Sequence, residues 1–143
     1  MYFQKNYVNI LYKCYDSSKY LKGDKVTKGQ IENKISEAVT KFEVEIQGRG
    51  PKKINTIIVN DLIIVRLEGF FSVSEKRLAR NNNVELIKKV RTLLFENEEE
   101  NFREKIEDII ETNVISIHSD VSTKTGEKII VLTTKENLEE KYE

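Results

Sequence analysis

The chain has 143 residues, 38% of them hydrophobic and 34% charged, and its 24 lysines and arginines equal its 24 aspartates and glutamates. This length suits one domain with its own core, and the balanced charge argues against a general attraction for nucleic acid or anionic lipid. The one cysteine, Cys14, excludes an internal disulfide, and one cysteine with one histidine is too small a ligand set for a structural zinc site.

The sequence shows no sign of a membrane span or a signal peptide. No apolar run reaches the roughly 18 residues that a membrane-spanning helix needs, and the first residues have neither a long apolar region nor a small-residue cleavage site. We therefore expect a cytoplasmic protein.

The first 22 residues are rich in aromatic side chains, since they hold five of the six tyrosines. Apolar residues recur there at helical spacing, which predicts a short amphipathic helix. Its aromatic face is expected to pack either on the body of the domain or on a partner, and Tyr7 and Leu11 are candidate interface residues. Residues 1–26 are predicted to form this segment and a linker.

A helix is predicted to begin after Thr27, because Thr27 and Gln30 have the spacing of a capping box. Gly48 is expected to end this helix and Pro51 to prevent its continuation. The apolar stripe between them follows the helical period and comprises Ile31, Ile35, Ala38, Val39, Phe42 and Ile46.

Two aliphatic runs, KINTIIVN and DLIIVRLEG, predict a β-hairpin around a two-residue turn at Asn60 and Asp61. The turn fixes the register, and the face expected to enter the core pairs Ile54 with Leu67, Thr56 with Val65 and Ile58 with Ile63. The other face pairs Lys53 with Glu68, Asn55 with Arg66, Ile57 with Ile64 and Val59 with Leu62.

The tip of this hairpin is apolar on both faces and therefore needs cover. The N-terminal segment and a second subunit are the two candidates for that cover. Val59 and Leu62 are candidate interface residues, and we predict a homodimer.

Ser72 and Glu75 form a second capping box, which predicts a short helix to about Arg80. Asn83 is expected to cap a longer helix that runs through residue 112, with one solvated turn at ENEEEN where a kink is expected. Its apolar stripe is predicted to comprise Val84, Ile87, Val90, Leu94, Phe102, Ile106, Ile109 and Ile110. A second hairpin follows, formed by VISIHSDV and EKIIVLTT around Gly126.

The element order is helix, β-hairpin, helix, long helix, β-hairpin. It predicts an α+β domain over residues 27–134, in which an antiparallel sheet carries helices packed mainly on one face. Residues 135–143 are predicted to be a polar C-terminal tail.

The loop of Gly48, Arg49, Gly50 and Pro51 is the first candidate site. It lacks the third glycine of a dinucleotide fingerprint, and it follows a helix, where the dipole has the wrong sign for an anion. A structural turn is the favoured interpretation. The alternative is an anion contact made by Arg49, Gly50 and Lys52.

His118 and Asp120 are the second candidate. Residues two apart on a strand share a face, and a His–carboxylate pair can orient a general base. A solvated strand face is the favoured alternative.

Asp61 and Arg91 are the third candidate. Asp61 is most simply a turn residue, and Arg91 is expected to bury its stem beside the helix stripe and to pair with a carboxylate. No residue is assigned a catalytic role, and no metal or cofactor is predicted.

Residues 27–134 taken together resemble the MpsC family, named for a component of a sodium-translocating, membrane-potential-generating system in Gram-positive bacteria. The segments that carry the resemblance are GRGP, INTIIVNDLIIVRLEGFFSVSE, VELIKKVR and VISIHSDVSTKTGEKIIVLT. The residues in question are Gly48, Arg49, Gly50, Pro51, Asp61, Leu67, Gly69, Glu75, Arg91, His118 and Asp120. This chain has Asn60-Asp61 where the family tends to have two acids, and Phe71-Ser72 where it tends to have Leu-Thr.

The resemblance implies a small protein that works beside membrane subunits coupling sodium movement, membrane potential and inorganic carbon uptake. It implies no catalytic residues. Our first hypothesis is therefore a non-enzymatic accessory domain, located in the cytoplasm and peripheral to the membrane through a protein partner. The alternatives are an anion or nucleotide sensor that uses Arg49 and Arg91, and an enzyme that uses His118 and Asp120.

Overall fold

The computed structural model describes residues 25–143. The predicted N-terminal helix, with Tyr7 and Leu11, lies outside the described residues. The helices are α1 (Lys28–Gln47), α2 (Val73–Arg80), α3 (Val84–Asn97), α4 (Glu99–Ile110) and α5 (Leu138–Lys141). The strands are β1 (Lys53–Val59), β2 (Leu62–Glu68), β3 (Val114–Ser122) and β4 (Glu127–Thr134).

The four strands form one antiparallel sheet with the order β1-β2-β4-β3. One face of this sheet, the inner face, packs on the helices, and its central residues are buried. The predicted α+β architecture is confirmed.

The helix α1 begins and ends as its sequence predicts. Thr27 Oγ1 accepts a hydrogen bond from the Gln30 amide at 3.3 Å, and Gln30 Oε1 accepts one from the Thr27 amide at 2.9 Å. Gly48 ends the helix at a φ of 73°, a left-handed conformation that glycine adopts without a steric cost. These end contacts and the buried stripe set the length and the rotation of α1.

The first hairpin has the predicted register at every pair from Lys53–Glu68 to Val59–Leu62. Asn60 occupies the turn with a φ of 53°, which asparagine tolerates better than most residues. Since the register is correct, the assignment of side chains to the two faces is also correct.

The predicted long helix is two helices, α3 and α4, that separate at Glu98, inside the ENEEEN turn where the sequence predicts a kink. The Glu98 amide donates to the Phe95 carbonyl at 3.1 Å and closes α3 with a tight last turn. The break brings Phe95 and Phe102 together on Phe42 of α1, with ring centroids 5.9 Å and 4.8 Å from that of Phe42. Packing of the three rings on one another explains why the chain turns here.

The break between α3 and α4 also changes which residues of the predicted apolar stripe are buried. Ile87, Arg91 and Phe95 of α3 are buried, whereas Val90 is 46% exposed. Sequence periodicity placed Val90 inward because it assumed one continuous helix through residue 112.

Residues 135–143, predicted as a polar tail, contain two buried side chains, Leu138 and Tyr142. The Leu138 amide donates to the Asn60 carbonyl at 2.9 Å, and the Tyr142 hydroxyl donates to the Ile110 carbonyl at 2.7 Å. The two side chains are four residues apart, so one helical turn directs both into the core. The short helix α5 therefore holds the tip of the first hairpin against α4.

We expect Leu138→Ala to lower the free energy of unfolding by about 2–5 kcal/mol, because it removes a fully buried side chain and leaves a cavity. Urea denaturation followed by circular dichroism measures this loss. Leu93→Ala is the matched control, since Leu93 is 48% exposed, and it should cost less than about 1 kcal/mol. Equal losses in the two variants would contradict the packing of α5.

Candidate functional site

The candidate residues fall in three separate places. Arg49, Lys52 and Arg91 lie around the junction between β2 and α2. His118 and Asp120 lie on β3, and Asp61 lies in the turn between β1 and β2.

The loop from Gly48 to Pro51 is held by protein contacts. Arg49 Nη1 donates to the Phe71 carbonyl at 2.8 Å, and the Lys52 amide donates to the Glu68 carbonyl at 2.9 Å. A Cβ on Gly50 would lie 3.2 Å from Val44 Cγ2, so the loop approaches α1 closely. These contacts favour the structural-turn interpretation of this loop.

Arg91 is 3% exposed and forms a two-bond ion pair with Glu75. Its Nε donates to Glu75 Oε1 at 2.7 Å and its Nη2 to Glu75 Oε2 at 2.8 Å. The guanidinium carbon lies 4.2 Å from the centroid of the Phe70 ring and 5.3 Å from that of Phe71. This geometry matches the expected ion pair, and the rings supply cation–π contacts as well.

Glu75 has two structural roles. It closes the predicted capping box, where its Oε2 accepts from the Ser72 amide at 2.7 Å. Partial burial acts to raise the pKa of the Glu75 carboxyl, but the hydrogen bonds from Arg91 and Ser72 outweigh it and hold the pKa below its ordinary value. Glu75 therefore remains charged at neutral pH and joins α2 to α3.

A second buried ion pair, between Glu43 of α1 and Lys128 of β4, was missed from the sequence. Lys128 Nζ donates to Glu43 Oε1 at 2.6 Å, and both residues are at most 2% exposed. Lys128 Nζ also lies 4.6 Å from the centroid of the Phe95 ring. The sequence did contain a signal that Lys128 is buried. Side chains alternate between the two faces of a strand, so Lys128 shares its face with Ile130 and Leu132.

Burial lowers the pKa of the Lys128 ammonium, and the charge of Arg91 lowers it further, while Glu43 opposes both effects. Glu43 Oε2 and Arg91 Nη1 are the buried side-chain polar atoms in residues 25–143 that lack a hydrogen-bond partner. Each buried pair therefore carries a desolvation cost that its contacts must offset. We interpret the two pairs as packing determinants that fix how the helices lie on the sheet.

His118 and Asp120 do not pair with each other. His118 is exposed, and its Nε2 lies 3.3 Å from Ser116 Oγ. The Asp120 side chain is 86% exposed, and Lys88 Nζ lies 3.9 Å from its Oδ1. A general base oriented by a carboxylate needs a hydrogen bond between the two groups, so we do not carry this hypothesis further.

Asp61 stabilises the turn between β1 and β2 through hydrogen bonds to its backbone carbonyl. Its carbonyl accepts from the Thr134 amide at 2.9 Å and from Thr134 Oγ1 at 3.0 Å. The residue is exposed. A turn role accounts for these contacts, and no group of three or more His, Cys, Asp or Glu side chains in residues 25–143 is arranged to hold a metal ion.

The face of the sheet opposite the core is here called the outer face. Within residues 25–143, none of its side chains is buried. Its apolar part includes Ile57, which is 45% exposed, and Val59, which is 40% exposed. Apolar residues of the outer face form one patch: Ile57, Val59, Leu62, Ile64, Ile129 and Val131.

The charges of the outer face on β1, β2 and β4 are paired with one another, whereas Asp120 of β3, which lies opposite Ile129, is 86% exposed on the same face. Arg66 Nε lies 2.6 Å from Glu127 Oε2, Arg66 Nη2 lies 2.9 Å from Glu68 Oε1, and Lys53 Nζ lies 3.7 Å from Glu68 Oε2. The hydrogen bond that Arg66 donates to the Glu127 carboxylate raises the pKa of the Arg66 guanidinium. Because these charges already have partners, a covering surface would leave few of them unpaired.

A comparison with protein-family models matches residues 27–136 to the family described as Na+-translocating membrane potential-generating system (MpsC). The chain belongs to the MpsC family. The resemblance inferred from the sequence is thereby confirmed.

Two curated proteins of Bacillus subtilis (strain 168) are similar to this MpsC-family chain. Uncharacterized protein YbcI is 35% identical over 120 residues, which cover 83% of this chain and 97% of YbcI. Uncharacterized protein YrhF is 23% identical over 113 residues, which cover 78% of this chain and 93% of YrhF. No solved structure gives a significant match.

The residues that carry the MpsC resemblance are divided by the structure into a packing group and a surface group. Arg49, Gly69, Glu75 and Arg91 meet around Phe70 and Phe71, where they stabilise the fold. His118 and Asp120 stand on β3 in solvent. In residues 25–143, no helix is long and apolar enough to cross a membrane.

We expect Glu75→Gln to lower the free energy of unfolding by about 1–3 kcal/mol at pH 7, because it removes the charge that pairs with Arg91. Glutamine keeps the capping box, so the loss isolates the ion pair. The pKa of Glu75 is lower in the folded state, so its contribution is present above the unfolded pKa and is lost as pH falls through the folded pKa.

The difference in the free energy of unfolding between Glu75→Gln and the unmodified protein should therefore become smaller as pH falls below about 4.5. Urea denaturation at a series of pH values measures both trends. Arg66→Gln is the control, since it breaks exposed pairs and should cost less than about 1 kcal/mol. A gap that stays constant with pH would contradict the role of the Glu75 charge.

Proposed function

We propose that this chain is a non-enzymatic accessory domain, which acts through protein contacts beside the membrane subunits of a sodium-translocating, membrane-potential-generating system. The family description supports the choice of system. The observation that carries an interaction role is the outer face, where an apolar patch lies beside charges that are already paired. Large contiguous apolar patches are rare on the surfaces of monomeric proteins, and those that occur commonly mark sites of interaction with other molecules.

The occupant that we propose for the outer face is a second copy of the chain, which makes the protein a homodimer. Four strands of about seven residues form a plane of about 19 by 23 Å, or about 440 Å². Side chains that stand on this plane expose more area than the plane itself. The buried surface would approach the roughly 800 Å² per partner of a standard interface.

A two-fold axis through the apolar patch would stack Ile57 and Val59 of one copy on the same patch of the other. The charged row of Arg66, Glu68 and Glu127 would lie toward the rim, where polar residues are tolerated. Such an arrangement is isologous and closes after two copies.

The anion-sensor alternative has less support from the geometry. Arg49 donates to the Phe71 carbonyl, and Arg91 is buried against Glu75. An anion would have to displace contacts that hold the β2–α2 junction. We therefore prefer the accessory-domain proposal.

We expect the full chain to sediment as a dimer and Ile57→Lys to raise the dimer dissociation constant about a hundredfold or more, because an unpaired ammonium would be buried. Sedimentation velocity over a concentration series measures this change. Val90→Lys is the matched control, since Val90 is 46% exposed on α3, and it should leave the dimer intact. A monomer at every concentration, or dissociation by Val90→Lys alone, would contradict the proposed interface.

The proposed cellular role predicts a sodium-dependent phenotype. Cells of the source organism that lack the gene should lose the part of their membrane potential that requires external sodium. A potential-sensitive dye in sodium and in potassium media measures that part. The unmodified gene should restore it and Ile57→Lys should not. An identical sodium-dependent potential with and without the gene would rule out the role.

A further inference from the structure

Within the part of the chain that the structure describes, residues 25–143, the strand β1 forms one edge of the sheet and is paired on one side only, with β2. The two-residue turn makes Val59–Leu62 a hydrogen-bonded pair, so Ile57 and Asn55 also bond to β2. The backbone groups of Ile54, Thr56 and Ile58 therefore point away from the sheet. The Ile58 amide donates to Glu32 Oε1 at 2.9 Å, which agrees with this direction.

The helix α1 forms the other wall of a groove beside this edge. Contacts of Glu32 with Ile58 and of Ser36 with Thr56, whose hydroxyls lie 2.7 Å apart, show that α1 runs antiparallel to β1. The groove has a volume of about 610 Å³. Its lining includes Glu32, Glu37 and Lys41 of α1 together with Ile54, Asn55 and Thr56 of β1.

We propose that this groove binds an extended segment of a partner protein, which adds to β1 as a fifth strand in antiparallel orientation. The backbone of Ile54 and Thr56 supplies the hydrogen bonds, and α1 supplies side-chain selectivity. The inference deepens the proposed accessory function, because it names the chemistry by which the domain recognises another chain.

The charges of the groove set the expected sequence of the segment. Glu32 and Glu37 make one end and the middle acidic, and Lys41 places a cation toward the other end. An antiparallel segment brings its N-terminal end to Glu32 and its C-terminal end to Lys41. The segment should therefore carry a basic residue first and an acidic residue last.

A second copy of this chain fits the groove less well than a single segment. In a symmetric β1–β1 pairing about Thr56, each Ile58 would meet an Ile54 of the other copy. Glu32 already bonds the Ile58 amide, so both ends of that pairing are blocked. A short segment that bonds at Ile54 and Thr56 avoids both blocked positions.

The test uses the full ¹⁵N-labelled chain and a six-residue probe, acetyl-Lys-Thr-Val-Thr-Val-Glu-amide. We expect saturable shifts and slowed hydrogen exchange at the Ile54 and Thr56 amides, with little slowing at Asn55 and Ile57, which already bond to β2. A probe N-methylated on its edge-facing residues should bind at least about tenfold more weakly. A probe with Lys and Glu exchanged should bind about threefold to fivefold more weakly.

Glu37→Lys should weaken the first probe about threefold to fivefold, since Glu37 is an exposed groove residue. Glu104→Lys, an exposed change on α4 outside the groove, should have no effect. Equal binding of the methylated probe, or no response at Ile54 and Thr56 with millimolar peptide, would overturn the proposal. This outcome is separable from failure of the cellular role, which is read from membrane potential without any peptide.

Discussion

The ion pair between Arg91 and Glu75 is the contact on which the helical layer depends. It buries a guanidinium against two phenylalanine rings and connects α2, α3 and the end of β2. A buried charge without a partner would cost several kcal/mol, so α2 and α3 keep the positions that bring Glu75 and Arg91 together. The Glu43–Lys128 pair imposes the same requirement between α1 and β4. Two cations and two carboxylates in a largely aromatic and aliphatic core thus fix the relative positions of the helices and the sheet.

This arrangement places α1, α3 and α4 against the inner face, holds α2 against α3, and leaves the outer face without a buried side chain in residues 25–143. Among the ionisable site candidates, Arg49 and Arg91 bind protein oxygens and take part in packing. The fold therefore presents two surfaces to other molecules, the outer face and the groove between α1 and β1. The two surfaces adjoin at Asn55, but they face in different directions, because the apolar side chains of the outer face point away from α1 while the groove lies at the edge of β1.

The two surfaces support the accessory role that we propose for this domain. One surface is apolar with its charges paired, which favours association with a matching surface. The other is polar and presents backbone hydrogen-bonding groups, which favours an extended chain. The description of the MpsC family names a sodium-translocating, membrane-potential-generating system, and binding to other subunits of such a system is the role that we propose for these surfaces.

The sequence by itself determined the local elements. Capping boxes at Thr27 and Ser72, the turn at Asn60 and strict strand alternation are short-range signals, and each gave the correct helix start or hairpin register. Contacts between residues far apart in the chain were decided only by the tertiary structure. Three phenylalanines from α1, α3 and α4 pack together where the predicted long helix divides at Glu98. Leu138 and Tyr142, predicted to lie in a polar tail, are buried and bond to the carbonyls of Asn60 and Ile110. The Glu43–Lys128 pair joins residues 85 positions apart. Sequence periodicity indicates only which face of its own element a side chain occupies, so it cannot identify an oppositely charged partner on another element.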